Sequence, residues 1–160
     1  MRWISVDIGK VMGVTEWVHG DRRNTYIVKP RGNKGKYYIG DTVRDSKIAA
    51  IRCMLDGVDL VVMERGMGNR ANIINSQAHL RGYITSCADL WNIHTKEINV
   101  SEWRRVVKEQ MGVSFPRQSK DCKILAQQLV KKHFNLDATE DEADSVLIGY
   151  AAMKLGYVNL

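Results

Sequence analysis

Residues 3–14, Trp-Ile-Ser-Val-Asp-Ile-Gly-Lys-Val-Met-Gly-Val, decide how the rest of the chain is read. Ile4, Val6 and Ile8 alternate with Trp3, Ser5 and Asp7, the period-two pattern of a strand whose two faces meet different surroundings. Asp7 therefore stands near a strand end, and Gly9 and Gly13 bracket a turn. Residues 14–18 and 25–28 read as two further strands, with His19-Gly20-Asp21 as the hairpin turn between them. The expected start is three antiparallel strands.

Working outward, residues 30–36 (Pro-Arg-Gly-Asn-Lys-Gly-Lys) read as a basic loop. Asp41 is expected to open a helix carrying Ile48, Ile51 and Leu55 and ending at Gly57. Residues 58–63 are a nearly continuous apolar run, as a strand covered on both faces requires, and Glu64 follows at once. Beyond a glycine-bearing loop, Ile73, Leu80, Ile84, Cys87 and Trp91 mark a long helix, and residues 93–98 another strand. Ser101 is placed to cap a helix with Trp103, Val106, Val107 and Met111; Gly112 and Pro116 break the chain before a helix over residues 119–134. Thr139-x-x-Glu142 has the capping-box pattern and announces a last helix, with Asp141 and Asp144 three residues apart. The order of three strands, helix, strand, helix, strand and terminal helices suits a single α/β domain over residues 1–160, with a mixed five-stranded sheet flanked by helices.

With 160 residues and 44% apolar content, the chain can bury one sizeable core. No apolar run approaches the roughly 18 residues of a membrane span, and the strand pattern begins too early for an export segment, so a soluble, cytoplasmic protein is expected. Cys53, Cys87 and Cys122 are odd in number and lack Cys-x-x-Cys spacing, which suggests neither a disulfide framework nor a zinc site and suits a reducing compartment. The net charge of +6 conceals a segregation: Asp137, Glu140, Asp141, Glu142 and Asp144 crowd into eight residues, leaving a strongly basic remainder. Such a body attracts polyanions through counterion release, although a basic surface that only aids solubility has the same composition.

Each acid alone has a plain structural reading: Asp7 as a turn residue, Glu64 as an exposed strand end, Asp141 and Asp144 as complements to a helix N-terminus. Jointly they differ, because two come from the ends of buried strands and two from one face of a capped helix. Two carboxylates about 5 Å apart repel by roughly 3 kcal/mol at an effective dielectric near 20, so a cluster of four calls for cations. Divalent metal resolves that cost and suits phosphodiester hydrolysis. His19, His79, His94 and His133 are scattered and form no competing catalytic arrangement.

The strand-borne Ser-Val-Asp7-Ile-Gly-x-x-x-Gly-Val, the strand-end Val-Val-Met-Glu64, the stretch from Gln77-Ala78 to Arg81-Gly82, and Asp141-Glu-Ala-Asp144-Ser-Val-Leu together resemble the RuvC-type Holliday-junction resolvases of the ribonuclease-H-like superfamily, including divergent phage-like members. The resemblance implies the ribonuclease-H-like fold and a homodimer that cuts four-way DNA junctions symmetrically with Mg2+ or Mn2+. Asp7, Glu64, Asp141 and Asp144 would be the catalytic metal ligands, and Lys108 and Lys120 match the family's catalytic basic positions. Arg65, Met67, Asn69 and Arg70, with Lys120 and Lys123, would contact the nucleic acid. Ile8 stands where bacterial members commonly have proline, and Met67 where an aromatic residue is usual. The stripe of the helix over residues 73–91 would face either a second protomer or the chain's own core. A related nuclease acting on forks, flaps or RNA-containing duplexes, and a catalytically silent nucleic-acid-binding module, are the competing readings. An ATP-binding protein of the actin and sugar-kinase type, which shares Asp-x-Gly-x-x-x-Gly, needs two lobes and is disfavoured by length.

Overall fold

The computed structural model describes residues 1–32, 35–65 and 71–158, the side chains of residues 71–74 excepted. The expected antiparallel start is present: β1 (Arg2–Asp7), β2 (Met12–Val18) and β3 (Asp21–Arg31) pair in succession. Two strands then replace the expected loop and early helix. β4 (Lys36–Ile39) and β5 (Thr42–Arg44) form a hairpin, with Ile39 opposite Thr42 across a two-residue Gly40-Asp41 turn. The sheet therefore has seven strands among the described residues, not five, in the order β5-β4-β3-β2-β1-β6-β7. The cause is local. Tyr37, Tyr38 and Ile39 are strong strand formers, and Gly40 takes the positive φ of 52° that the tight turn demands.

The first helix, α1 (Lys47–Leu55), consequently starts six residues beyond Asp41, with Ser46 as its cap accepting from the Ala49 amide. Ile48, assigned to its apolar face, is 48% exposed; Ala50, Ile51, Met54 and Leu55 are the residues it buries. β6 (Leu60–Arg65) and β7 (His94–Asn99) are parallel to β1, separated in sequence by α2 (Ala71–Leu90). α3 (Val100–Met111) begins directly after β7 with Asn99, not Ser101, at its N-cap. α4 (Ser119–Phe134) follows its expected boundaries, and α5 (Glu140–Lys154) starts behind the expected Thr139 cap.

Side-chain alternation along the strands divides the core into two layers. Ile4, Val6, Met12, Val14, Val28, Val61 and Met63 pack against α1 and α2. Trp3, Trp17, Leu60, Val62 and Ile98 pack against α3, α4 and α5, with the Trp3 and Trp17 rings stacked 5.3 Å apart. Asp7 and Glu64 follow Trp3, Ser5, Leu60 and Val62 at two-residue steps, so both belong to the face covered by α5.

Candidate active site

α5 lies against the sheet without the usual side-chain spacer. A Cβ at Gly13 would meet the Asp141 carbonyl oxygen at 1.7 Å, and one at Gly149 would meet the Trp17 ring at 2.5 Å and Ser5 Oγ at 2.6 Å. The two glycines, one on the strand and one on the helix, allow this approach. Its register is set by a buried polar network in which every member has a partner. The Trp17 indole N–H donates to Ser5 Oγ (2.8 Å), and Ser5 in turn donates to the Ser145 carbonyl (2.7 Å). Thr15 Oγ1 lies 2.7 Å from Ser145 Oγ, which donates to the Glu142 carbonyl at 2.8 Å. Left unpaired, each buried hydroxyl would cost roughly 1–3 kcal/mol, so a helix slipped along the sheet is disfavoured.

This docking brings the acids together. Asp7 pairs with Gly13 across β1 and β2, and Gly13 touches the backbone of Asp141. Val6 pairs with Met63, so Asp7 and Glu64 end neighbouring parallel strands, and Asp144 lies one helical turn beyond Asp141. All four are half-buried. Asp7 is held well above the ordinary carboxylate range, first by burial and then by the charges of Glu64, Asp144 and Asp141, with Lys123 opposing. Asp144 is pushed up to about 7 by burial and Glu64, against Arg104 and Lys123. Burial also raises Glu64, offset by the Trp103 indole, which donates to Glu64 Oε2 at 2.8 Å, and by Arg104. Burial raises Asp141, while Lys123 lowers it.

Carboxylate oxygens are the donors that hard divalent cations prefer, and the mutual repulsion felt by Asp7 and Asp144 describes a place short of positive charge; the donor set fits such an ion. The side chains are spread more widely than one ion's shell. Among the described residues, no three His, Cys, Asp or Glu side chains are grouped tightly enough to hold a metal as they stand. Mutual electrostatic influence reaches further than coordination, so the two observations agree. Glu142, in the same acidic run, is committed elsewhere: its carboxylate accepts from the Thr139 amide and hydroxyl, both at 2.8 Å, and completes the capping box.

The cations sort differently from expectation. Lys123 stands at the site, bonded to Glu140 at 2.7 Å and acting on Asp7, Asp141 and Asp144. Lys108, in the last turn of α3, and Lys120, in the first turn of α4, are exposed, and neither pairs with a described acid. Arg65 is exposed at the end of β6 and pairs with Glu97 at 3.8 Å. Met67, Asn69 and Arg70 lie outside the described residues.

Arg104 was not anticipated. Its guanidinium lies 5.2 Å from the Trp103 ring centroid and 5.3 Å from that of Phe115, its Nε is buried without a partner, and its charge acts on Glu64 and Asp144. The available signal was its position: the helix starts at residue 100, beside the strand that pairs with Glu64, so its first turn overlooks that carboxylate.

No family model and no curated protein matches the sequence. Solved structures do match in fold. The RuvC of Thermus thermophilus in complex with a Holliday junction substrate superposes with a TM-score of 0.62 at 9% identity, covering 98% of this chain and 96% of that one. A second structure of Thermus thermophilus RuvC gives 0.61 at 11% identity, covering 98% and 97%. The fold is thus a RuvC-like, ribonuclease-H-like arrangement of a mixed sheet flanked by helices, here with seven strands.

Proposed function

We propose that this chain is a divalent-metal-dependent nuclease of the RuvC type, acting on branched DNA with the four-way junction as its substrate. The observation that carries the reading is the convergence of Asp7, Glu64, Asp141 and Asp144 on one face at the carboxyl ends of two parallel strands, within a RuvC-like fold. Mg2+ or Mn2+ held by these carboxylates would offset their repulsion, activate a water and stabilise the leaving oxygen. Arg104, resting against two aromatic rings, is suited to bind a phosphate oxygen beside the acids through its guanidinium nitrogens other than the buried Nε. Lys123 opposes the protonation that burial favours at Asp141 and, after Arg104, at Asp144, because its ammonium favours their charged form. Trp103 orients Glu64 through its N–H.

A homodimer accords with symmetric cutting. The stripe of Leu80, Ile84 and Cys87 packs on the chain's own core, whereas Asn75, Ala78, His79, Gly82, Tyr83 and Ser86 line an open groove on another face of α2. We assign the second protomer to that groove. Among the described residues, no helix is long and apolar enough to cross a membrane.

The test is cleavage of a labelled mobile four-way junction, a fork and a linear duplex with Mg2+ or Mn2+, alongside Asp7→Asn and Arg104→Gln. The reading expects paired symmetric cuts in the junction, abolished by the first substitution and slowed about a hundredfold by the second. Fork cutting with an intact junction would replace the junction as substrate; tight binding without cleavage in either metal would leave a binding module.

A further inference from the structure

We infer that the β3–β4 hairpin is a separate nucleic-acid-binding element: a surface of cations and tyrosine that grips the phosphate backbone of the DNA arm leading into the carboxylate site. The identity of the polyanion rests on the nuclease reading above.

β3 outruns its neighbour. The β2–β3 pairing ends at Met12 opposite Val28, and from there Lys29, Pro30 and Arg31 continue in register with Tyr38, Tyr37 and Lys36 of β4. This extension, continued at its edge by Val43 and Arg44 of β5 opposite Tyr38 and Tyr37, lies at the sheet end where β1 and β6 finish, the end that carries Asp7 and Glu64. Its two faces differ sharply. Val28, Tyr37 and Ile39 belong to the core over α1 and α2, which anchors the hairpin. By strand alternation Lys29, Arg31, Lys36 and Tyr38 point the other way, to the face from which Asp7 and Glu64 project.

On that face the cations are organised. Lys29 Nζ lies 5.9 Å and the Arg31 guanidinium 5.3 Å from the Tyr38 ring centroid. Both residues are exposed, and among the described residues neither pairs with a carboxylate. Lys36 pairs weakly with the exposed Asp45 at 3.7 Å. A cation resting on an anchored ring loses less freedom when a phosphate arrives, and arginine still presents its N–H edge. From strand spacing and rise, the Lys29 and Arg31 Cα atoms lie roughly 12 and 17 Å from that of Asp7. That span corresponds to about three to five base pairs of duplex at 3.4 Å each. The hairpin can therefore hold the arm while the acids act on a phosphate nearer its end. Its second strand, β4, belongs to the segment 36–44 that adds β4 and β5 beyond the five strands expected of this fold.

The test is binding of a fluorescein-labelled four-way junction in EDTA, followed by anisotropy across a salt series. Lys29→Gln/Arg31→Gln should weaken binding about tenfold and lower the slope of log K against log salt by about 1.8, at 0.9 for each phosphate no longer neutralised. Arg22→Gln/Arg23→Gln removes the same charge from the opposite end of the same strand and should leave the slope nearly unchanged. Lys29→Arg/Arg31→Lys should restore it, and melting curves check that each variant is folded. Equal losses from both glutamine pairs, or no loss from the hairpin pair, would overturn the inference. Because binding is read without metal, a failure of the wild-type protein to cut DNA would count against the nuclease reading and not against the hairpin.

Discussion

α5 and α2 cover opposite faces of one sheet and are held by opposite means. α5 buries eight of its 15 residues, is pressed onto β1 and β2 through Gly13 and Gly149, and is pinned by hydroxyls of Ser5, Thr15 and Ser145. α2, at 20 residues the longer helix, buries only Ile84 and Ala88 between positions 75 and 90, while Tyr83 and Leu90 are 44% and 80% exposed. The helix bearing two acids is thus fixed to the strand bearing Asp7, which pairs directly with the strand bearing Glu64, where a small displacement would separate them. The other helix leaves a face exposed, the one on which the proposed second protomer would sit. Positional precision and availability have been assigned to different layers.

The sharpest way to break this comparison uses the glycine at the middle of each helix. Helix propensity alone predicts that alanine at Gly149 or Gly82 stabilises by about 0.5–1 kcal/mol. At Gly149 the new methyl would collide with Trp17 and Ser5, so Gly149→Ala should instead destabilise by about 2–3 kcal/mol and sharply reduce cleavage, as thermal melts and the junction assay would read. At Gly82 nothing lies within 4 Å, and Gly82→Ala should raise the melting temperature by a few degrees. Opposite signs uphold the contrast; equal signs break it.

A second effect concerns the charge that α5 brings in. Asp144 is raised from the ordinary 3.8 to about 7, so the folded state favours its protonated form. The sign follows from linkage: below pH 3.8 the group is neutral in both states and costs nothing, and stability is lost as pH rises from there through about 7. In EDTA, Asp144→Asn should flatten that decline and stabilise the protein at pH 8 by up to a few kcal/mol while abolishing cleavage. A parallel pH–stability curve for the variant would refute the shift. The smallest effect separates adjacent carboxylates. Glu142→Gln weakens only the capping box and should lower stability by about 0.5–1 kcal/mol with cleavage largely retained, whereas Asp141→Asn should lose activity.

Much of this is legible in the residues alone. The alternation around Asp7, the apolar run before Glu64 and the box ahead of Asp141 each report a local preference, and local preferences survive folding. The hairpin over residues 36–44 was legible too, since Tyr-Tyr-Ile-Gly-Asp-Thr-Val is a strand-turn-strand pattern, but the glycines and lysines before it favoured a loop. Arg104 could not be separated from its neighbour Arg105 by residue type. Helix phase against Glu64 distinguishes them: one is braced on Trp103 and Phe115, and the other pairs with Glu109 on the surface.

By itself the sequence determined the α/β class, the strand ends that carry Asp7 and Glu64, the cap that frees Asp141 from Glu142's role, and the basic balance, all properties of a few adjacent residues. Only the tertiary structure decided that the acids share one face, that the charges of Lys123 and Arg104 act on them, and that Lys29 and Arg31 lie toward that face too. Those facts depend on how closely α5 approaches the sheet and on the register between strands far apart in sequence, and close approach is set by packing that no local pattern records.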